Sequence, residues 1–143
     1  MFYIEWLFRK FCYPDFSDIY LKPQYQDEST GKFRLDFAVE FLQAAYIKWG
    51  ESIKYDQIIL SIEHPKLGIE IDGHIWHEKT KDQVQCHKER ERFLISMGWK
   101  LLRFTGSEVF KNPQKCIHET IELIESVQNE YYGKIREKIQ RER

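Results

Sequence analysis

Three carboxylates in this sequence are placed to meet at one metal ion. Asp36 lies at the centre of an apolar run, and Glu70 and Asp72 alternate with Ile69 and Ile71 in a second one. Acidic residues are poor strand formers and are costly to bury, so their place in strand-like segments needs a cause. A strand period of two puts Glu70 and Asp72 on one face and the two isoleucines on the other. Because like charges so close repel, the pattern predicts a bound divalent cation or a captured proton.

Carboxylate oxygens are ligands that suit Mg²⁺, with Mn²⁺ as a substitute, and Mg²⁺ keeps several waters, one of which can attack a phosphodiester. We expect Asp36 and Asp72 to be direct or water-bridged ligands. Glu70 is predicted to be a further ligand or the base that orients the attacking water. The carbonyl oxygen of Ile71, at the end of the same strand, is a fourth candidate ligand.

Two histidines follow the acidic strand closely. His77, five residues after Asp72, can reach back over the strand end as a general base or as a partner of a metal-bound water. His74, in the same loop, is a weaker candidate for a nucleic-acid contact. These histidines, together with Cys86 and His87, also supply ligand types for zinc, but a zinc site would leave the carboxylates unexplained.

A predicted helix after this loop carries candidate nucleic-acid contacts. Arg90 shares the apolar side of the helix with Leu94 and Met97, so it points inward and requires an anion, either a substrate phosphate or a structural carboxylate. Another face carries a basic ridge of the kind that tracks a phosphate backbone, and a solvated charged face is the alternative explanation. The ridge consists of Lys81, Gln85, Lys88 and Arg92.

The composition bounds the class of protein. A chain of 143 residues with 42% hydrophobic residues is long enough for one packed domain, and its formal charge of −1 gives no global positive field, so any nucleic-acid surface must be local. We expect a single domain over 1–130 and a charged helical extension over 131–143. Three irregularly spaced cysteines and the lack of an apolar run of about 20 residues predict a cytoplasmic protein without disulfides or a membrane span.

Apolar periodicity predicts an α/β domain with a mixed central sheet flanked by helices. The segment 41–65 has a weak pattern, although 57–62 alternates like a strand. The strands on either side of the helix over 81–97 should pair in parallel, and the first two strands should form a hairpin. The predicted helices are 2–13, 81–97 and one that begins near Pro113, and the predicted strands are 20–25, 32–39, 66–72 and 99–104.

The segment from Glu70 to His77 and the segment from Arg90 to Phe104 resemble the PD-(D/E)XK nuclease superfamily. The resemblance is closest to the branch that contains very-short-patch mismatch-repair endonucleases and small phage and bacterial nuclease-like domains. That branch shares a Glu-x-Asp-Gly strand end, a nearby His, an Arg-led helix that ends in Gly and an aromatic residue, and a strand that closes with Arg-Phe. This chain departs from the superfamily in having Asp72 where a lysine is usual. Asp36 and Glu70 are also 34 positions apart, which is further than in the short hairpin common in these nucleases.

The resemblance implies a restriction-endonuclease-like fold and a Mg²⁺-dependent endonuclease that cuts DNA and leaves a 5′-phosphate. It also implies that Glu5, on the first helix, contributes to the metal cluster; an exposed ion pair with Arg9 explains Glu5 equally well. The expected partner is DNA, and the sequence leaves open whether the chain works alone, as a homodimer, or within a larger repair, defence or mobile-element complex. The alternative function is a non-catalytic module that binds nucleic acid or docks a partner on a nuclease scaffold.

Overall fold

The computed structural model describes residues 19–41, 61–72 and 80–142, which form a mixed sheet and helices on both of its faces. This arrangement confirms the predicted α/β class. The predicted helix over 2–13 and most of the weakly patterned segment lie outside the described residues. In chain order the described elements are β1 (Ile19–Tyr25), β2 (Leu35–Phe41), β3 (Lys66–Asp72), α1 (Lys81–Ser96), β4 (Trp99–Thr105), α2 (Gly106–Lys111) and α3 (Pro113–Glu142).

The four strands lie in the sheet in the order β1-β2-β3-β4. β1 and β2 form the predicted antiparallel hairpin, β2 and β3 are also antiparallel, and β3 and β4 are parallel with α1 as their connection. The predicted strand–helix–strand unit is therefore confirmed. β2 begins at Leu35, three residues later than the pattern of 32–39 predicts, because 27–32 form a turn.

That turn is fixed by its own polar side chains. The Asp27 carboxylate accepts a hydrogen bond from the backbone N–H of Thr30 at 3.1 Å, and the fully buried Thr30 hydroxyl accepts one from the Asp27 N–H at 2.9 Å. Gly31 has φ +61°, where a side chain would be strained and would also meet the Phe93 ring at 3.0 Å. The turn thus sets where β2 starts and so where Asp36 lies along it.

The two faces of the sheet are covered differently. On one face α1 packs through Leu94, which is buried with Leu35, Ala38 and Trp99. On the other face α3 closes the main core, whose buried members from the sheet and from the helices α2 and α3 are Phe37, Val39, Phe41, Leu67, Ile69, Phe104, Val109, Cys116, Ile117, Ile124 and Val127. The α1 face also carries the candidate site, so one layer both supports the sheet and reaches the acidic residues.

Both ends of α1 follow from the sequence. Thr80 and Gln83 form a capping box, in which the Thr80 hydroxyl accepts from the Gln83 N–H and the Gln83 side chain accepts from the Thr80 N–H. At the other end, Gly98 has φ +88°, a conformation that glycine adopts without strain. These signals explain why the predicted helix over 81–97 is observed to within one residue.

The last helix, α3, begins at Pro113 as predicted and runs without a break past residue 130 to Glu142. Beyond the sheet, Tyr131 and Ile135 are buried against Ile62. Ser61 and Ile62 lie in a turn, so these two residues do not continue the strand that alternation predicts over 57–62. The split into a domain over 1–130 and an extension over 131–143 stays a prediction. Within the described parts of the chain, no helix has the length and apolar character of a membrane span.

Candidate active site

The strand register brings the acidic residues to one face of the sheet. In the parallel pair, Glu70 lies beside Arg103 and Asp72 beside Thr105. In the antiparallel pair, Phe37 lies opposite Ile69, and one step further in the same register sets Asp36 opposite Glu70. Because neighbouring residues in register share a face, Asp36, Glu70, Asp72 and Arg103 belong to the face that α1 covers.

The Asp36 side chain, on β2, binds the backbone of β3 beyond the last paired residues of the two strands. Its Oδ2 accepts a hydrogen bond from the backbone N–H of Ile71 at 2.8 Å. The side chain thereby satisfies a backbone donor where the antiparallel ladder ends, which an apolar residue could not do. Asp36 is half-buried on β2 and binds the residue immediately before Asp72, so it lies near the end of β3 that carries Asp72.

Glu70 is held by Arg90 from α1. Glu70 is 5% exposed, and Arg90 Nη2 donates both to Glu70 Oε1 and, at 2.6 Å, to the carbonyl oxygen of Arg34. The predicted inward arginine is therefore observed, and the anion it meets in the structure is this carboxylate. Burial raises the pKa of Glu70 above its usual value; the hydrogen bond and charge of Arg90 act in the opposite direction without cancelling the rise.

This raised pKa predicts a specific pH dependence of stability. A carboxyl group that binds its proton more tightly in the folded state stabilises the fold fully below its unfolded pKa of 4.5, and loses that contribution as pH rises through the folded pKa. Urea unfolding of the parent and of Glu70→Gln across this range should therefore show the parent losing stability relative to the variant as pH rises.

Glu108 provides a control of opposite sign. Hydrogen bonds from the backbone and hydroxyl of Thr105 lower the pKa of Glu108, so its contribution is present above the unfolded pKa and is lost as pH falls through the folded pKa. Glu108→Gln should therefore show the reverse slope relative to the parent. If the difference in the free energy of unfolding between Glu70→Gln and the parent does not change with pH, the assignment of a raised pKa to Glu70 is wrong.

Asp72 is 8% exposed and faces Arg103. The distance from Arg103 Nε to Asp72 Oδ2 is 3.6 Å, an ion pair but too long for a hydrogen bond, and Arg103 Nη1 lies 3.7 Å from Glu91 Oε2 on α1. Within the described residues, Asp72 Oδ2 and Arg103 Nε and Nη2 are buried without a hydrogen-bond partner. A buried oxygen in that state carries an uncompensated desolvation cost unless a further group binds it.

The donors at this end of β3 fit a hard divalent cation. They are the carboxylates of Asp36 and Asp72 and the carbonyl oxygen of Ile71, all oxygen ligands, and Asp72 Oδ2 has no hydrogen-bond partner in the described part of the chain. Residues 19–41, 61–72 and 80–142 contain no group of three or more His, Cys, Asp or Glu arranged to hold a metal. Mg²⁺ commonly takes only one or two protein carboxylates and completes its shell with water and substrate phosphate, so a pair of aspartates matches its usual protein share.

The remaining candidates divide into exposed residues and residues outside the described ranges. The basic ridge is exposed on α1 at Lys81, Lys88 and Arg92, and Gln85 donates to Glu89 beside it. Cys86 is exposed one residue before the half-buried His87. Glu5, His74 and His77 lie outside the described residues, so their roles, and zinc binding by the two histidines, stay predictions.

Two residues of this constellation were not among the sequence-based candidates. The sequence pattern assigns Arg103 only to the Arg-Phe strand end and gives Glu91 no role. The signal for Arg103 is its spacing from Leu101 and Thr105 on one strand face, but its position beside Glu70 depends on the β3–β4 register. Glu91 adjoins Arg90 on the helix, and its role as a partner of Arg103 depends on the position of that arginine in the sheet.

Comparison with known proteins agrees with the fold. The profile of REase_MTES_1575, a restriction-endonuclease-like family, matches residues 50–124. The chain is 32% identical over 103 residues to the Type II nicking enzyme V.HpaIIP of Haemophilus parainfluenzae, an alignment that covers 53% of this chain and 72% of that protein. No solved structure gives a significant match. The described residues form a mixed sheet, and β3 ends in acidic residues. The profile match and the similarity to the nicking enzyme show that the chain belongs to the REase_MTES_1575 family, within the PD-(D/E)XK-like nucleases.

Proposed function

We propose that the protein is a divalent-metal-dependent endonuclease that hydrolyses phosphodiester bonds in DNA, with Mg²⁺ as the metal and Mn²⁺ as a substitute. The observation that carries the proposal is the buried Asp72 oxygen, which has no hydrogen-bond partner among the described residues, at the end of the strand whose Ile71 N–H binds Asp36. Family membership and the similarity to a nicking enzyme support the same activity. The proposed product carries a 5′-phosphate.

In this proposal Asp36, Asp72 and the Ile71 carbonyl hold the ion. The bound ion would supply positive charge against the negative charge that develops on the phosphoryl oxygens, and would make water a better nucleophile. Glu70, fixed through Oε1 by Arg90 and with a raised pKa, is placed to orient or deprotonate the attacking water. His77 is the second candidate base, and Glu5 a further contributor to the cluster.

DNA would approach along the exposed face of α1. Lys81, Lys88 and Arg92 recur there at helical spacing and are solvent-accessible, so they can contact backbone phosphates without a change in the fold. Such contacts position a duplex but do not read its sequence. His74 is proposed as an additional contact, and assembly into a homodimer or a larger repair, defence or mobile-element complex remains part of the proposal.

The test is cleavage of supercoiled plasmid and of mismatched and branched duplexes by the purified protein, with Mg²⁺, with Mn²⁺ and with excess chelator. We expect nicked product with either metal and none with chelator, with activity restored when Mg²⁺ is added back. Ligation of the purified nicks without prior kinase treatment checks for the 5′-phosphate. Equal cleavage with and without chelator would refute metal dependence.

The ion pair between Glu70 and Arg90 favours a second candidate, a non-catalytic module that binds DNA on the same scaffold. In such a module the acidic residues would serve only to fasten α1 to the sheet. Salt-sensitive DNA binding without cleavage of any duplex in the panel, together with no calorimetric response to Mg²⁺ or Mn²⁺, would support this candidate instead.

A further inference from the structure

Arg103 presents its hydrogen-bonding edge to Asp72 without closing on it. In a guanidinium group, Nε and one Nη donate side by side, and this edge matches the two oxygens of a carboxylate or phosphate. In Arg103 these two donors, Nε and Nη2, are buried and lack a hydrogen-bond partner among the described residues. The nearest described anion is Asp72 Oδ2, 3.6 Å from Nε.

The Asp72 oxygen that faces Arg103 is the one that lacks a hydrogen-bond partner within 19–41, 61–72 and 80–142. A divalent cation bound to Asp72 would therefore stand close to a fixed positive charge. Two cations near one carboxylate repel each other, and the repulsion is strong because the carboxylate is 92% shielded from water at 8% exposure. Glu91 offers Arg103 a second anion, with Oε2 at 3.7 Å from Nη1 and a side chain that is 42% exposed.

We propose that Arg103 competes with the divalent cation for Asp72 and so sets the metal concentration at which the site fills. When the cation binds Asp72, the Arg103 guanidinium moves away from Asp72 and interacts with Glu91 on α1. Arg103 acts through Asp72 and is in this sense a positioning residue. The inference rests on the proposed metal site.

The direct test is calorimetric titration of Mn²⁺ into the parent, Arg103→Met, Arg103→Lys and Lys100→Met, without DNA. Because Met removes the competing charge, Arg103→Met should bind Mn²⁺ about tenfold more tightly than the parent. This is the size of effect expected when a like charge close to the cation is removed from a partly shielded site. Arg103→Lys keeps the charge and should stay within about threefold of the parent. Lys100→Met removes one charge from the opposite face of the same strand and should bind as the parent does.

A second measurement uses the parent protein and does not depend on a variant that folds. Titration with Mg²⁺ should shift the NMR resonance of the Arg103 Nε–H group with the same midpoint as metal binding by calorimetry, because the guanidinium changes its partner. The resonance is assigned from its loss in Arg103→Lys. An unchanged resonance at saturating Mg²⁺, or an Arg103→Met affinity equal to or weaker than that of the parent, would overturn the proposal.

Failure of this inference is distinguishable from failure of the proposed function. Asp72→Asn should weaken Mn²⁺ binding in the same titration. If it does so while Arg103→Met leaves the affinity unchanged, the metal site stands and the competition is refuted. If Asp72→Asn binds Mn²⁺ as tightly as the parent, the metal does not use Asp72, and the proposed site fails together with the inference.

Discussion

Replacing Asp72 by Asn is expected to reduce metal-dependent DNA nicking by about a hundredfold or more, the usual effect of removing a preorganised electrostatic group from a catalytic site. The substitution keeps the shape of the side chain and removes the charge that would hold the cation. It also leaves Arg103 with its second ion pair, in which Nη1 lies 3.7 Å from Glu91 Oε2. Plasmid nicking rates at saturating Mg²⁺ measure the effect.

Two controls separate lost chemistry from lost structure. Thermal unfolding should show that Asp72→Asn folds, since Asn fits the same space and Arg103 keeps its ion pair with Glu91. Glu119→Gln, on the exposed surface of α3, removes one negative charge away from the site and should nick at the rate of the parent. If folded Asp72→Asn cuts as fast as the parent, the assignment of Asp72 is wrong.

Replacing Arg90 by Met is expected to destabilise the fold by about 3–5 kcal/mol, because it leaves the Glu70 carboxylate buried without its cation. The side chains of Arg90 and Glu70 are 15% and 7% exposed, so water cannot compensate for the loss. The substitution also removes the hydrogen bond to the Arg34 carbonyl that ties α1 to the start of β2. Urea unfolding at neutral pH measures the change in the free energy of unfolding.

The double variant Arg90→Met with Glu70→Gln should recover a large part of that loss, because neither position then carries a buried charge without its partner. Arg92→Met is the matched control, since Arg92 is exposed two residues further along α1 and its removal should change the free energy by about 0.5 kcal/mol or less. A cost for Arg90→Met no greater than that of Arg92→Met would show that the ion pair does not contribute to stability.

Local signals in the sequence were sufficient for most of the described elements. β3 was predicted at its observed bounds, because apolar and acidic residues alternate along it and Gly73 follows its last residue. The end of α1 was predicted from Gly98, which adopts a positive φ without strain. The start of α3 was predicted from Pro113, because proline is favoured in the first turn of a helix. The short helix α2 was not predicted, because its apolar content is low and its cap, Thr105, is also the last residue of a strand.

The candidate site was predicted in part, for a related reason. Residue types and the period of two were enough to group Glu70 with Asp72, and the inward direction of Arg90 followed from helical spacing. The partner of Arg90 could not be decided, since a phosphate and a carboxylate satisfy a guanidinium equally well. Arg103 depends on strand register, which is set by tertiary packing and is not a local property of the sequence.

The parallel register of β3 and β4 has a further consequence for how this protein tolerates change. Because Arg103 alternates with Leu102 and Phe104, a slip of one residue between these strands would carry the guanidinium into the apolar core and expose an aromatic ring to the carboxylates. The alternation of residues in β4 therefore determines both the position of Arg103 at the site and the packing of Leu102 and Phe104 in the core. A single-residue insertion or deletion in β4 would disable both at once, whereas changes of length in surface turns leave that alternation untouched.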